Sequence, residues 1–261
     1  MTLPFTVVDA FADRPFTGNP AAVMVLTAWP DDALLRDIAA EHNLSETAFA
    51  VATDDADADY DLRWFTPTVE IAMCGHATLA SGHVLIGERD EVRFATRKAG
   101  VLTVARDGAG YTLDLPVTRV AAAPDPALLA ALGCEGEVFA SISGAQATSI
   151  ILLPDAAAVR GCAPDMRALA ACGVMAIITA PGDVADVVSR VFVPTWGVDE
   201  DPVTGSAHAA LAPFWAERLG REHFTAFQAS ARGGHLTVTL AGERAVLGGG
   251  CVTVMRGELL V

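Results

Sequence analysis

One pattern occurs twice along this chain, and its order limits the possible folds more than any other feature. "RWFTPTVEIAMCGHATLASGHVLIG" from Arg63 and "RVFVPTWGVDEDPVTGSAHAALAPFWAERLG" from Arg190 share it. Each runs strand, Phe-x-Pro-Thr, acidic loop, glycine with small residues, then helix. A repeat in which each copy carries a sheet and a helix predicts two similar halves. The helix from His76 is apolar on nearly every side, so it has to be enclosed rather than laid on a surface. The expected architecture is therefore two sheets, each wrapped around its own helix, with both helix N-termini aimed at a cleft between the halves.

The rest of the chain fits this plan. Short apolar runs rich in β-formers predict strands at "FTVVDAF" (Phe5), "AAVMVL" (Ala21), "TAFAVAT" (Thr47), "YDLRWF" (Tyr60), "GVLTVA" (Gly100) and "YTLDLP" (Tyr111), mostly antiparallel. "PDDALLRDIAAEHN" from Pro30 predicts a helix whose first-turn acids suit the dipole. "VTRVAAAPDPALLAALGCEGE" reads as a connector with a short helix from Pro126, placing a domain boundary there: residues 1–118 and 119–261, with the terminal strand free to cross back. Strands resume at Val138, Thr148, Gly173 and Val187, followed by a helix from Ser206 in which Pro213 is expected to introduce a kink. Four more short strands close the chain.

Charge narrows the function. A net charge of −15, with only 17 Lys and Arg in 261 residues, argues against nucleic acid and anionic membranes as partners. Chemistry on a small molecule is the better expectation. The five cysteines form no C-x-x-C pair, and no histidine spacing suits a metal, so no metal site is predicted. The N-terminus lacks the features of a signal peptide and no apolar run approaches the ~20 residues of a membrane span, which together predict a cytoplasmic location.

The loops before the two buried helices are the candidate site. A helix N-terminus presents unpaired N–H groups and partial positive charge, suited to a carboxylate. Gly75 and Gly205 allow close backbone approach, while Ser206 is either an N-cap or a ligand donor. At Asp201 the dipole and burial pull the pKa in opposite directions; Asp199 and Glu200 read as solvated loop acids. His76 has the chemistry of a donor or base, and equally of a structural first-turn residue. Glu46, just before an apolar strand, is either a solvated strand-end acid or a carboxylate drawn inward as a proton carrier. Gly18-Asn19-Pro20 reads as a turn.

Taken together, "VDAFADRPFTGNPAAV", "NLSETAFA", "RWFTPTVEIAMCGHATLA", "DEDPVTGSAH" and "LGGGCVTVMRGELLV" resemble the PhzF-like isomerase family of phenazine biosynthesis, along nearly the whole chain. That resemblance implies an α+β, diaminopimelate epimerase-like fold: two pseudo-symmetric domains, each a curled, mostly antiparallel, barrel-like sheet around a central helix. It implies proton transfer on a small carboxylate-bearing metabolite, of amino-acid or cyclohexadiene type, without metal or organic cofactor. By position it assigns Glu46 as the general acid/base, with His76 and Asp201 as its catalytic partners. Asn19, Gly75, Gly205 and Ser206 fall to substrate binding, and a homodimer is implied.

Racemases of this fold use two cysteines, one per repeat, because inversion needs an acid and a base on opposite faces. Here Cys74 stands in the first loop and "EDPVTGSA" has no counterpart. That favours isomerisation by one carboxylate, with Cys74 as buried filler or pocket wall. The alternatives are an epimerase pairing Cys74 with a carboxylate, and a small-molecule binder without chemistry.

Overall fold

Two units divide the chain, one holding Met1–Leu115 with Gly248–Val261, the other Pro116–Leu247. They are seen in a computed structural model that describes residues 2–144 and 146–261.

In the first unit, β1 (Thr2–Ala10) is antiparallel both to β2 (Asn19–Leu26) and to the C-terminal strand Cys251–Leu260. Helix α1 (Asp32–His42) carries the chain to β3 (Glu46–Ala52), which is parallel to β2. Then β4 (Tyr60–Phe65) runs antiparallel to β3, and β5 (Glu70–Ile71) folds back on β4. Helix α2 (Gly75–Leu85) leads to β6 (Glu91–Thr96), parallel to β4, and the meander β7 (Val101–Asp107) and β8 (Gly110–Pro116) follows.

Helix α2 is the enclosed helix the sequence requires. Every residue from Gly75 to Gly82 is buried, and its neighbours include β1, β2, β3, β6 and β7, strands from the whole width of the sheet. A sheet reaches one helix from that many strands only by curling around it. At Gly82 the approach is so close that a Cβ would come within 2.4 Å of Val104 on β7, which explains a glycine inside a helix. Helix α1 covers the outer face, where Leu35 and Ile38 pack with Met24, Phe49 and Phe65. Asp31 caps it by accepting from the Ala33 amide, and Asn43 ends it in the left-handed conformation at φ 49°.

The second unit repeats this order. It opens with β9 (Val120–Ala122) and α3 (Pro126–Leu132), then β10 (Glu137–Ser141) and β11 (Thr148–Leu152). Helices α4 (Ala156–Gly161) and α5 (Met166–Cys172) lead to β12 (Met175–Pro181), parallel to β11. Antiparallel β13 (Val187–Val193), a 3₁₀ turn at Pro194–Trp196 and β14 (Val198–Asp201) precede α6 (Gly205–Leu219). The unit closes with β15 (His223–Gln228), parallel to β13, then β16 (Gly234–Ala241) and β17 (Arg244–Gly249). Strand β18 is the Cys251–Leu260 strand of the first unit.

Helix α6 is enclosed like α2. Phe214 meets Phe139 of β10 edge to face, and Trp215 donates its indole N–H to Thr179 of β12 at 3.1 Å. Asp125, Asp155 and Asp165 cap α3, α4 and α5.

The sheets are mostly antiparallel, as expected, with parallel pairs at β2–β3, β4–β6, β11–β12 and β13–β15, each joined through a helix. Helices α4 and α5 occupy a stretch to which the sequence assigns no element, because their short Ala-rich turns carry little periodicity. Helix α6 runs as one element through Pro213. No helix among the described residues is long and apolar enough to cross a membrane.

The paired strands β4–β5 and β13–β14 are pinned alike. Arg63 donates two hydrogen bonds to Glu70, each 2.8 Å, and its guanidinium lies over the Phe65 ring at 5.0 Å. Arg190 donates to Glu200 at 2.8 and 2.9 Å and lies over Phe192 at 4.9 Å. Glu200 is therefore a structural ion-pair partner on a strand, which corrects its reading as a solvated loop acid; Asp199 beside it is exposed.

His208, in the first turns of α6, is wholly buried and bonds through Nδ1 to the Thr204 carbonyl at 2.8 Å. Burial pushes its pKa down from 6.5 to about 4, so it folds as a neutral ring. The unfolded chain binds a proton there between those values and the folded chain does not, so acid favours unfolding. A shift of this size corresponds to about 3 kcal/mol lost as pH falls from 6.5 to 4. His208→Gln is expected to lose that component. In thermal melts across this pH range, its Tm should fall less steeply than that of the wild type.

Candidate active site

In the first unit, three chain segments meet at the N-terminus of α2. Asn19 is the first residue of β2, and Glu46 is the first residue of β3, registered opposite Ala21. Cys74 is the N-cap of α2, followed by Gly75 and His76 in the first turn. A parallel pair starts both strands at the same end, so the helix start faces both Asn19 and Glu46.

His76, 3% exposed, is the centre of the group. Its Nε2 lies 3.2 Å from Glu46 Oε2, whose side chain is 14% exposed. At Nδ1 it meets the Asn19 amide nitrogen at 3.1 Å and Cys74 Sγ at 3.5 Å. Although Nε2 and Oε2 are close, they are not aligned as a hydrogen bond, and among the described residues neither atom has another partner. Buried polar atoms in that state are uncommon in proteins and call for an explanation, a catalytic role or a bound water or ion among them.

Burial opposes a charged imidazole at His76, but Cys74 and Glu46 outweigh it and hold its pKa well above 6.5. Burial, with Glu46 adding to it, pushes the Cys74 thiol up to about 11, so at neutral pH the sulfur is protonated. The charge that favours imidazolium is therefore the Glu46 carboxylate. One donor atom each from Glu46, Cys74 and His76 fits within 4.8 Å, a grouping able to hold a metal ion. Sequence spacing misses it because Glu46 belongs to another strand.

In the second unit, Asp201 ends β14 and is buried, 8% exposed. Thr204 is the N-cap of α6, and its hydroxyl donates a short hydrogen bond to the Asp201 carboxylate. Gln228, fully buried on β15, accepts from the Thr204 amide at 2.9 Å and donates to the Asp201 carbonyl at 2.6 Å. These bonds fix the corner between β14 and α6. Ser206 is the second helical residue rather than the cap, with its hydroxyl 4.0 Å from Met175 Sδ. Gly205 opens the helix and is buried. Thr204 and Gln228 escape sequence reading. Thr204 looks like any loop threonine, and Gln228 lies on a strand with no local sign of what it clamps.

Removing the Glu46 charge takes away what favours the imidazolium. In Glu46→Gln, the pH titration of the His76 ring followed by NMR is expected to move to lower pH than in the wild type. The wild-type midpoint is expected above 6.5. Whatever stability the His76–Glu46 pair contributes is full below pH 6.5 and is lost as pH rises through the folded value. An unchanged midpoint in Glu46→Gln would remove Glu46 as the governing charge.

The profile of the "Phenazine biosynthesis-like protein" family, PhzC-PhzF, matches residues 8–257. A protein of Pseudomonas aeruginosa described as an uncharacterized isomerase is 47% identical, with 99% of both chains covered. The crystal structure of a phenazine biosynthesis PhzF-family protein from Enterococcus faecalis superposes with a TM-score of 0.91 at 41% identity, over 100% of both chains. A predicted epimerase of Pseudomonas aeruginosa superposes with a TM-score of 0.77 at 26% identity, over 99% of both. These relatives support an isomerase or epimerase type of activity on an α+β, epimerase-like fold. The chain belongs to the phenazine biosynthesis-like PhzF family.

Proposed function

We propose that the protein is a cofactor-independent isomerase that moves a proton within a small carboxylate-bearing metabolite, with Glu46 as general acid and base. One observation carries this reading. The buried Glu46 Oε2 faces His76 Nε2 at 3.2 Å without being tied up in an aligned hydrogen bond. A carboxylate held there accepts a proton from a substrate carbon and returns it to another carbon on the same face, so no net change in protonation remains. His76, favoured as imidazolium, steadies the carboxylate between the two transfers. Asn19 packs against the ring's other nitrogen. Asp201 and Ser206 enter the proposal through the family resemblance, Asp201 as a proton-handling group and Ser206, with Gly75 and Gly205, as binding groups.

A second reading has its own observation. Cys74 Sγ lies 3.5 Å from His76 Nδ1, so a thiol and a carboxylate flank one imidazole. An epimerase would use the thiol as acid and Glu46 as base on opposite faces of a stereocentre. The thiol, pushed up to about 11, suits the donor role and not that of base.

Solvent deuterium incorporation into a panel of amino, hydroxy and cyclohexadiene acids tests both. The wild type is expected to label a substrate carbon, and Glu46→Gln to lose about 10²–10⁴-fold in exchange rate with its fold intact by circular dichroism. Label at a new carbon with the stereocentre retained supports isomerisation; inversion at the labelled carbon, lost in Cys74→Ala, supports the epimerase. Full exchange in Glu46→Gln sinks both.

A further inference from the structure

We infer that Glu46, Cys74 and His76 also form a binding site for a thiophilic divalent cation of the zinc class. Such an ion would shut the proton-transfer site by occupying its donors.

The donor set is the first ground. A carboxylate oxygen, an imidazole nitrogen and a sulfur are the three ligand types that Zn²⁺ takes, and the sulfur excludes hard ions such as Mg²⁺ as good competitors. Distance is the second. In a tetrahedral site with Zn–N and Zn–O near ~2.0–2.1 Å, neighbouring ligand atoms stand about 3.3 Å apart. Glu46 Oε2 and His76 Nε2 stand 3.2 Å apart. The third donor, Sγ, completes a group whose atoms lie within 4.8 Å of one another.

The third ground is that the two facing atoms are buried and lack aligned partners, so an ion would satisfy both at once. Asn19 lies 3.1 Å from Nδ1 through its amide nitrogen, beside the ring nitrogen left free when Nε2 faces the ion. Three protein ligands leave a fourth position for water or a substrate carboxylate. Binding is balanced by release of protons to solvent: one from the Cys74 thiol, and one from His76 where the ring is charged.

This inference goes beyond the proposed activity and does not depend on it, because binding is measured without turnover. Titrate the intact, metal-free protein with Zn²⁺ by calorimetry, and with Co²⁺ while recording the visible spectrum. One ion per chain is expected, with a thiolate-to-cobalt charge-transfer band. Cys74→Ser and His76→Gln should each weaken binding by about tenfold or more, and Cys74→Ser should also abolish the band. Cys162→Ser, which removes a thiol of the second unit, should bind like the wild type. Circular dichroism confirms that each variant is folded. If a variant fails to fold, alkylation of the wild type with and without Zn²⁺ replaces it, and Cys74 should be protected. Binding that survives loss of Cys74, a loss in Cys162→Ser, a missing charge-transfer band, or unprotected Cys74 would each overturn the site.

Discussion

An arginine held in a carboxylate fork, once in each unit, is the constraint on which the site geometry depends. Arg63 with Glu70 and Arg190 with Glu200 each join a long strand to the short strand that folds back on it. Two parallel N–H···O bonds fix direction as well as distance, which a single contact would not. Arg63 is only 4% exposed, so removing Glu70 would leave a buried charge short of one partner, at a cost on the order of 3–5 kcal/mol. In both units the chain reaches the start of the central helix three residues after the short strand ends. The fork sets where that strand lies, and so where Cys74 and His76, or Thr204 and Ser206, are delivered.

Register makes the equivalence of the two loops concrete. Glu70 faces Phe65, and Glu200 faces Phe192, in the same kind of antiparallel pair. Counting on from there, Cys74 matches Thr204, both N-caps, and His76 matches Ser206. Thr78 and His208 then occupy one position, and each side chain bonds the carbonyl of its own N-cap residue. One backbone device has thus been furnished with a thiol and an imidazole in the first unit, and with hydroxyls in the second.

Much of this was legible in the sequence because it is local. The enclosed helices follow from apolar residues on all sides, and the Asp-led starts of α1 and α3 follow from capping chemistry. Glu46, His76 and Asp201 could be singled out as candidates because each belongs to a long recognisable motif. What was not legible depends on distant partners. Glu200 looks solvated until Arg190 is placed ten residues earlier on the adjoining strand. Gln228 becomes a clamp only when β15 runs parallel to β13, an arrangement decided by the α6 crossover. The grouping of Cys74 with His76 and Glu46 depends on Glu46 arriving from a separate strand, which no local spacing reveals.

Divergence between equivalent positions then says more about chemistry than their likeness does. The features the two copies share, the Arg–Glu fork, the enclosed helix and the bond from helix to N-cap carbonyl, are those any copy needs in order to fold. The titratable groups at the helix starts are not shared. Cys74 and His76 have no ionisable counterparts at Thr204 and Ser206, while Asp201 stands where the first copy has Ile71. A fold needs neither an imidazole beside an unaligned carboxylate nor a threonine bonded to a buried aspartate, and both leave polar groups in costly surroundings. Their confinement to one copy each marks them as departures from what folding alone requires, which is what makes them the candidates for chemistry.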